Sequence, residues 1–381
     1  YWNNFVRAGA RLGAPEKTRV AEINQKLAGL YTRFSQNVLA DETNLHLLLE
    51  HRSDLDGLPP SVVQGAAAKA EELGHPGKWV VANTRSAMEP FLTFATRREL
   101  REKAWRLFIS RGDNGGEHDN KGVIGEVLRL RAERAHLLGF KTHAHWRLEN
   151  TMAKTPERAL QLMEGVWGPA VGRVREEVAD MQAIARSEGA DISIEPWDYR
   201  FYAEKVRKAR YDLDETAMKP YLQLDALRDS MFWVAGELFG LRFTRVYDVP
   251  VDHADVQVWE VTKRRGGRHV GLWYFDPFAR NGKRSGAWMD AYRTQERFDR
   301  PVTTIVSNNS NFVKGSPHEP VLVSWDDATT LYHEFGHAVH GLLADANYPS
   351  LSGTAVPRDY VEFPSQLLEH WLPTPEVLAR F

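Results

Sequence analysis

Apolar positions recur at three- and four-residue spacing along most of this chain, and only one later stretch changes to a period of two. Over Gly9–Ala40 the residues Ala21, Ile23, Leu27, Leu30, Tyr31, Phe34 and Val38 predict a helix with Pro15 near its start, and Tyr31 and Phe34 are expected in its core face. Asp56-Gly57-Leu58-Pro59-Pro60 breaks the chain, Ser61 caps a helix of alanines and charges reaching about Gly74, and Gly77–Val81 reads as a short strand. Arg97–Lys103 mixes cations with Glu99 and Glu102, which reads as a solvated face whose apolar side carries Leu100, Trp105, Leu107 and Phe108. After the polar loop Arg111–Asn120, a helix over Val123–Leu138 ends at Gly139 as its C′ residue.

Thr155 and Pro156 are an N-cap and first-turn proline for a helix running to about Arg186 on Leu160, Met163, Val166, Trp167, Val171, Val174, Val178 and Met181. Roughly thirty residues at 1.5 Å each span about 45 Å, the length of a bundle wall. Trp197–Ala209 holds aromatics among charges and is read as helix packing. From Val256 the alternation VQVWEVT, a Lys263–Arg268 turn and HVGLWYFD predict a β-hairpin. Val302–Val306, ending in Asn308 and Asn309, is a further strand, expected at a sheet edge. The fold class is therefore mainly α, with one small sheet near the cleft, and the absence of repeats or low-complexity linkers makes 1–381 one continuous helical region with a metal-binding core at about 255–381.

Composition narrows the function classes. With 49 Lys and Arg against 51 Asp and Glu, and no basic stripe interleaved with aromatics, nucleic acid is not an expected partner. No run of about 18 apolar residues is available to span a bilayer. The absence of cysteine removes disulfides and thiol catalysis while leaving the compartment open, since a protein without disulfides can live on either side of an inner membrane.

The chemistry concentrates in LYHEFGHAVH, Leu331–His340. On a helix His333 and His337 lie within about 40° of each other, so two imidazoles one turn apart can grip one divalent ion while Glu334 leans over the same edge as a base for a water on that ion. The metzincin continuation fails, because His340 stands where glycine and Leu343 where a third histidine would be needed. A turn-rich segment, Asn347–Thr354, and a helical pattern opened by Pro357-Arg358-Asp359 can return Glu362 to the His333/His337 face, giving two histidines, a carboxylate and an open position for water. Asp345, Asp359 and Glu369 compete for the third place. Asp326, Asp327 and Asp359 are candidates to fix the imidazole tautomers. His143 and His145 form an H-x-H that is read as packing or surface histidines.

HEFGHAVHGLL with YPSLSGTAVPRDYVEFPSQLLEHW closely resembles the thimet oligopeptidase family of zinc peptidases, in particular its bacterial dipeptidyl carboxypeptidase branch. DPFARNGKRSGAWM (Asp276–Met289), EPWDYRFYAEKVRK (Glu195–Lys208) and GARLGAPEKTRVAEINQKLAGLYTRFSQN (Gly9–Asn37) extend the resemblance over nearly the whole chain. It implies a zincin-type helical body and one Zn2+ per chain on His333, His337 and Glu362. It implies Glu334 as the catalytic glutamate and short peptides as substrates, losing C-terminal dipeptides. An endo-acting oligopeptidase on the same site and a non-catalytic helical peptide-binding protein are the alternatives. The family continues past the third ligand into a segment carrying a histidine and tyrosines with no counterpart here, so this chain is expected to be the metal-bearing portion of a longer protein and to need that C-terminal segment.

Overall fold

The computed structural model describes residues 1–211, 215–314 and 319–381. The elements of the first half are α1 (Trp2–Arg7), α2 (Ala14–Asn44), β1 (His46–Leu49), α3 (Pro60–Glu72), β2 (Trp79–Ala82), α4 (Arg85–Phe94), α5 (Arg98–Ile109), α6 (Lys121–Leu137), α7 (His143–Leu148), α8 (Pro156–Ser187) and α9 (Pro196–Tyr211). There follow α10 (Glu215–Met218), α11 (Leu224–Phe239), β3 (Leu241–Val246), β4 (Gln257–Lys263), β5 (His269–Phe278), β6 (Trp288–Arg293), β7 (Thr304–Phe312), α12 (Trp325–Leu342), α13 (Glu362–Glu369) and α14 (Pro375–Leu378). The chain is mainly helical, as its periodicity predicts, and among the described residues no helix is long and apolar enough to cross a membrane.

Two compact units are distinguishable. The first comprises 1–57, 73–84 and 91–206, the second 58–72, 85–90 and 207–381. The second unit contains the whole 255–381 stretch and begins earlier, because α11 is part of the same core as the sheet.

In the first unit Ile23 and Leu27 of α2 pack on Val123, Val127 and Leu130 of α6. Tyr31 and Phe34, expected in this core, are 38% and 40% exposed. The buried stripe of α2 runs instead through Val20, Ile23 and Leu27 to Asn37 and Asp41, and Tyr31 turns its hydroxyl to accept from Arg131 Nε at 2.8 Å. Of α8 only Met181 and Ala185 are fully buried, in a cluster with Phe201 and Tyr202 of α9. Leu160, Met163, Val166, Trp167 and Val174 are exposed, so the apolar period of α8 predicts the helix correctly but not its cover within this unit.

The cations of α5 also divide in a way that spacing does not reveal. Arg97 and Glu99 pair at the surface, whereas Arg101 is 1% exposed and donates to Asp198 Oδ1 at 2.9 Å and to the Ala95 and Thr96 carbonyls. Arg98 reaches the other Asp198 oxygen at 2.8 Å, and Asp198 is fully buried. A buried carboxylate shared by two guanidiniums is tolerable because its charge is matched and its lone pairs are all engaged.

The second unit is built on a five-stranded mixed sheet in the order β3-β4-β5-β7-β6, antiparallel except between β5 and β7. The predicted hairpin is β4–β5. Val302–Val306 is the start of β7, and here the expectation fails: β7 is flanked by β5 and β6, Asn308 and Asn309 lie inside it, and the sheet edge on that side is β6. Gly271 of β5 allows the tight parallel pairing, since a Cβ there would stand 2.4 Å from the Thr304 carbonyl oxygen. Trp273, buried completely, centres an aromatic cluster with Phe232, Trp259, Phe275 and Phe335, the last of which belongs to α12.

Candidate metal centre

Helix α12 starts with a capping box. Ser324 Oγ accepts the Asp327 amide at 3.1 Å, and the Asp327 carboxylate accepts the Ser324 amide at 3.2 Å. The helix is apolar on nearly every side because the sheet lies along one face and α13 along another; Phe335, Ala338, Leu331 and Tyr332 are buried in the core. Tyr332 shares a 2.6 Å hydrogen bond with Ser230 of α11. From β7, Asn308 accepts Trp273 Nε1 at 2.6 Å and donates to the Glu334 carbonyl at 2.6 Å, joining the aromatic core to the backbone of α12 at that residue.

Helix α13 returns against α12, as the turn-rich segment between them predicts, and Glu362 is its first residue. Gly336 makes the approach possible: a Cβ on it would lie 2.6 Å from Ser365 Cα and 2.9 Å from the Pro364 carbonyl oxygen. Ser365, fully buried, donates toward Glu362 Oε2 at 3.1 Å and toward its own helix's Glu362 carbonyl at 2.9 Å.

The three candidate ligands come together. Glu362 Oε2 is 3.2 Å from His333 Nε2 and 3.1 Å from His337 Nε2, and the two rings stand at 86° with centroids 4.9 Å apart. Donor atoms arranged tetrahedrally at about 2.0–2.1 Å from an ion would be separated by about 3.3 Å, which these spacings match. Among the described residues this is the one group of three such side chains with donor atoms all within 4.8 Å.

A cation also answers the charge pattern. His333 Nδ1 lies 2.6 Å from Glu369 Oε1, and a proton shared on that side leaves the Nε2 lone pair facing the Glu362 oxygen. Two lone-pair-bearing atoms aimed at each other repel unless a cation lies between them. His337 is held below the ordinary histidine range, chiefly by burial, which keeps its imidazole neutral and able to ligate. Its Nδ1 is buried without a hydrogen-bond partner among the described residues, so only His333 is oriented by a carboxylate.

Glu334 does not join the three. It is 7% exposed, and burial pushes its carboxyl up to about 7, with the Glu362 charge adding to the rise and His333 and a hydrogen bond from the Met289 backbone of β6 opposing it. A carboxyl tuned to that range can both accept and return a proton near neutrality. Its backbone partner places it at the sheet edge.

The partner of His333 corrects the expectation of Asp326, Asp327 or Asp359. Asp327 is engaged in the helix cap, and it is Glu369 of α13, expected as a competing ligand, that meets His333 Nδ1. Asp345, another competitor, pairs with Arg297 at 2.9 Å. His340, two turns on from His333 and close enough to His337 for its charge to act on that imidazole, lines a cavity of about 630 Å³ with Leu343, Leu367 and Trp371. His143 packs on Trp146 with centroids 5.5 Å apart. The sequence marks Asn308 only as the end of a strand, and Ser365 leaves no signal beyond standing one turn past a carboxylate.

Replacing Glu369 with Gln is expected to lower metal affinity by about 10–100-fold while leaving the fold intact, because the amide still fills the space but no longer draws the proton to Nδ1. Competition against a chelator measures this. An unchanged affinity would remove Glu369 from the site.

Comparison with known proteins agrees with this geometry. A family model described as peptidase family M3 matches residues 91–381. The chain is 39% identical over 378 residues to dipeptidyl carboxypeptidase of Escherichia coli, covering 99% of this chain and 55% of that protein. It is 32% identical over 386 residues to oligopeptidase A of Salmonella typhimurium, covering 99% and 56% respectively. It thus spans little more than half the length of these relatives.

Proposed function

The chain belongs to peptidase family M3, and from that premise we propose that it is the metal-bearing part of a zinc peptidyl-dipeptidase that removes C-terminal dipeptides from short peptides. The observation carrying the reading is the meeting of His333, His337 and Glu362 Oε2 within ligand spacing, beside a buried Glu334 that is not one of the three. Zinc is the natural ion for two imidazoles and a carboxylate with an open fourth position. When bound it would polarise the scissile carbonyl and make water acidic enough to be deprotonated near neutrality. Glu334 takes that proton and passes it to the departing amine. Glu369 holds the His333 tautomer, and Ser365 holds the Glu362 carboxylate.

Substrate backbone is best accommodated on β6, the edge strand whose Met289 amide already meets Glu334. A peptide paired there would run beside the candidate base, which β7, enclosed on both sides, cannot offer. Peptide chains are the only partners the reading requires, and either the cytoplasm or the periplasm of a bacterium suits a chain without cysteine. The chain covers about 55% of the dipeptidyl carboxypeptidase it resembles, and we assign none of its residues to the substrate's free carboxylate.

The greater identity to dipeptidyl carboxypeptidase than to oligopeptidase A favours dipeptide release over internal cleavage. Metal analysis of the purified protein, with mass spectrometry of the products from an N-terminally blocked peptide, tests the reading. One zinc and successive loss of C-terminal dipeptides are expected. Internal cuts would transfer the protein to the endo-acting alternative, and a chain that binds no metal would overturn the site.

A further inference from the structure

The first unit carries a cluster of charge that the peptidase reading does not use. It lies where α6 meets α7. Arg134 of α6 stacks on the Trp146 ring at 4.7 Å and Arg147 of α7 on the same ring at 5.6 Å. Arg131, one turn before Arg134, lies over Tyr31 at 5.1 Å. The ring of His143 lies 5.5 Å from that of Trp146.

What distinguishes these arginines is the absence of anionic partners. On the same helix Arg129 pairs with Glu126 and Glu133, and Arg19 of α2 pairs with Glu22 and Glu133. Arg7 of α1, also on Trp146, is matched by Glu149. By contrast Arg131 donates to the neutral Tyr31 hydroxyl and Arg134 to the neutral Asn24 side chain at 2.7 Å, and among the described residues neither they nor Arg147 pairs with a carboxylate. Arg134 Nε and His143 Nδ1 are buried and have no hydrogen-bond partner among the described residues.

The electrostatics follow the same division. Burial and the charges of Arg131, Arg134 and Arg147 push His143 down to about 4, so its imidazole is neutral near pH 7 and adds no further repulsion. The carboxylate beside this cluster, Glu149, is taken up by Arg7. Three guanidiniums gathered around a neutral ring, two of them partly buried and so incompletely screened, repel one another in the folded state. A multiply charged oxyanion relieves that repulsion and matches the forked donors of arginine.

We propose that Arg131, Arg134 and Arg147 form a binding site on the first unit for a small phosphate-class dianion, separate in composition from the metal centre. Trp146 lies against two of the three guanidiniums, those of Arg134 and Arg147. The neutral neighbours Asn24 and Tyr31 fix the geometry without neutralising it.

Calorimetric titration of the chain with inorganic phosphate, at constant ionic strength and with acetate in parallel, tests the site. Saturable binding of one phosphate per chain is expected. Arg134→Gln should weaken it by at least about tenfold, the loss of a charge-assisted hydrogen bond. Arg147→Gln, at an exposed position that cannot disturb the fold, should weaken it severalfold, and Arg129→Gln should leave it unchanged. Absence of saturable binding, binding unaltered in both the Arg134 and Arg147 variants, or acetate bound as tightly as phosphate would each overturn the assignment.

Discussion

Glu334→Gln is expected to retain metal as the parent protein does and to lose turnover by about 10²–10⁴-fold, the usual worth of a positioned general base. The substitution isolates one function because the side chains have nearly the same shape and Glu334 is not among the three converging ligands. The amide can still lie against the Met289 backbone in a pocket that leaves Glu334 only 7% exposed. What it cannot do is take a proton. Burial is what raises the Glu334 carboxyl to about 7, and a divalent cation nearby favours the charged form, so the holoprotein should carry a carboxylate at neutral pH. The comparison is made on whichever form of the protein turns peptide over, with metal content measured on the same samples. Near-normal turnover at full metal content would assign the base elsewhere.

The route from sequence to this site was legible at some residues and closed at others, for physical reasons. His333, Glu334 and His337 are readable because a fixed helical period alone puts them on one side of α12, and a turn-rich stretch followed by a new helical pattern announces the return of Glu362. Glu369 on His333 was not readable as a tautomer holder, since its contact depends on how far α13 slides along α12. The acidic pair nearer in sequence was the natural guess, but Asp327 serves the helix cap.

The strand β7 shows the same limit. Asn308 and Asn309 read as the end of a strand because polar residues usually do, yet both are buried, as are Ser307, Ser310 and Asn311 beside them. Asn311 donates to the Arg284 and Gly286 carbonyls and Asn308 to that of Glu334, so the burial is compensated by partners remote in sequence. Tyr31 and Phe34 fail in the opposite direction: periodicity marks a helix face, but a neighbour decides whether that face is covered. Arg101 is a third case, a cation in a charged run whose burial depends on Asp198 nearly a hundred positions later.

Gly336→Ala should remove metal binding more thoroughly than any outer substitution, although it adds a single methyl group at a position with no donor. That methyl would stand 2.6 Å from Ser365 Cα, 2.9 Å from the Pro364 carbonyl oxygen and 3.2 Å from Leu368 Cβ. Two of these are backbone atoms of the helix carrying Glu362, and carbon atoms pack comfortably only at about 3.5–4.0 Å. No rotamer change relieves the contact, so α13 must withdraw by about 1 Å, whereas a ligand tolerates only about 0.2 Å. Glu362 would then leave the His333/His337 pair, and metal affinity should fall by more than the roughly 100-fold that marks the upper range for outer-shell changes. Overpacking of this kind also costs about 1–3 kcal/mol of stability. The sign is diagnostic, because alanine is otherwise favoured over glycine in a helix by about 1 kcal/mol. Gly165→Ala in α8, where nothing lies within 4 Å of the added carbon, should accordingly leave the melting temperature unchanged or raise it. Gly336→Ala should lower both melting temperature and metal affinity, and a variant that binds metal as the parent does would mean that Glu362 is not held in place by the closeness of the two helices.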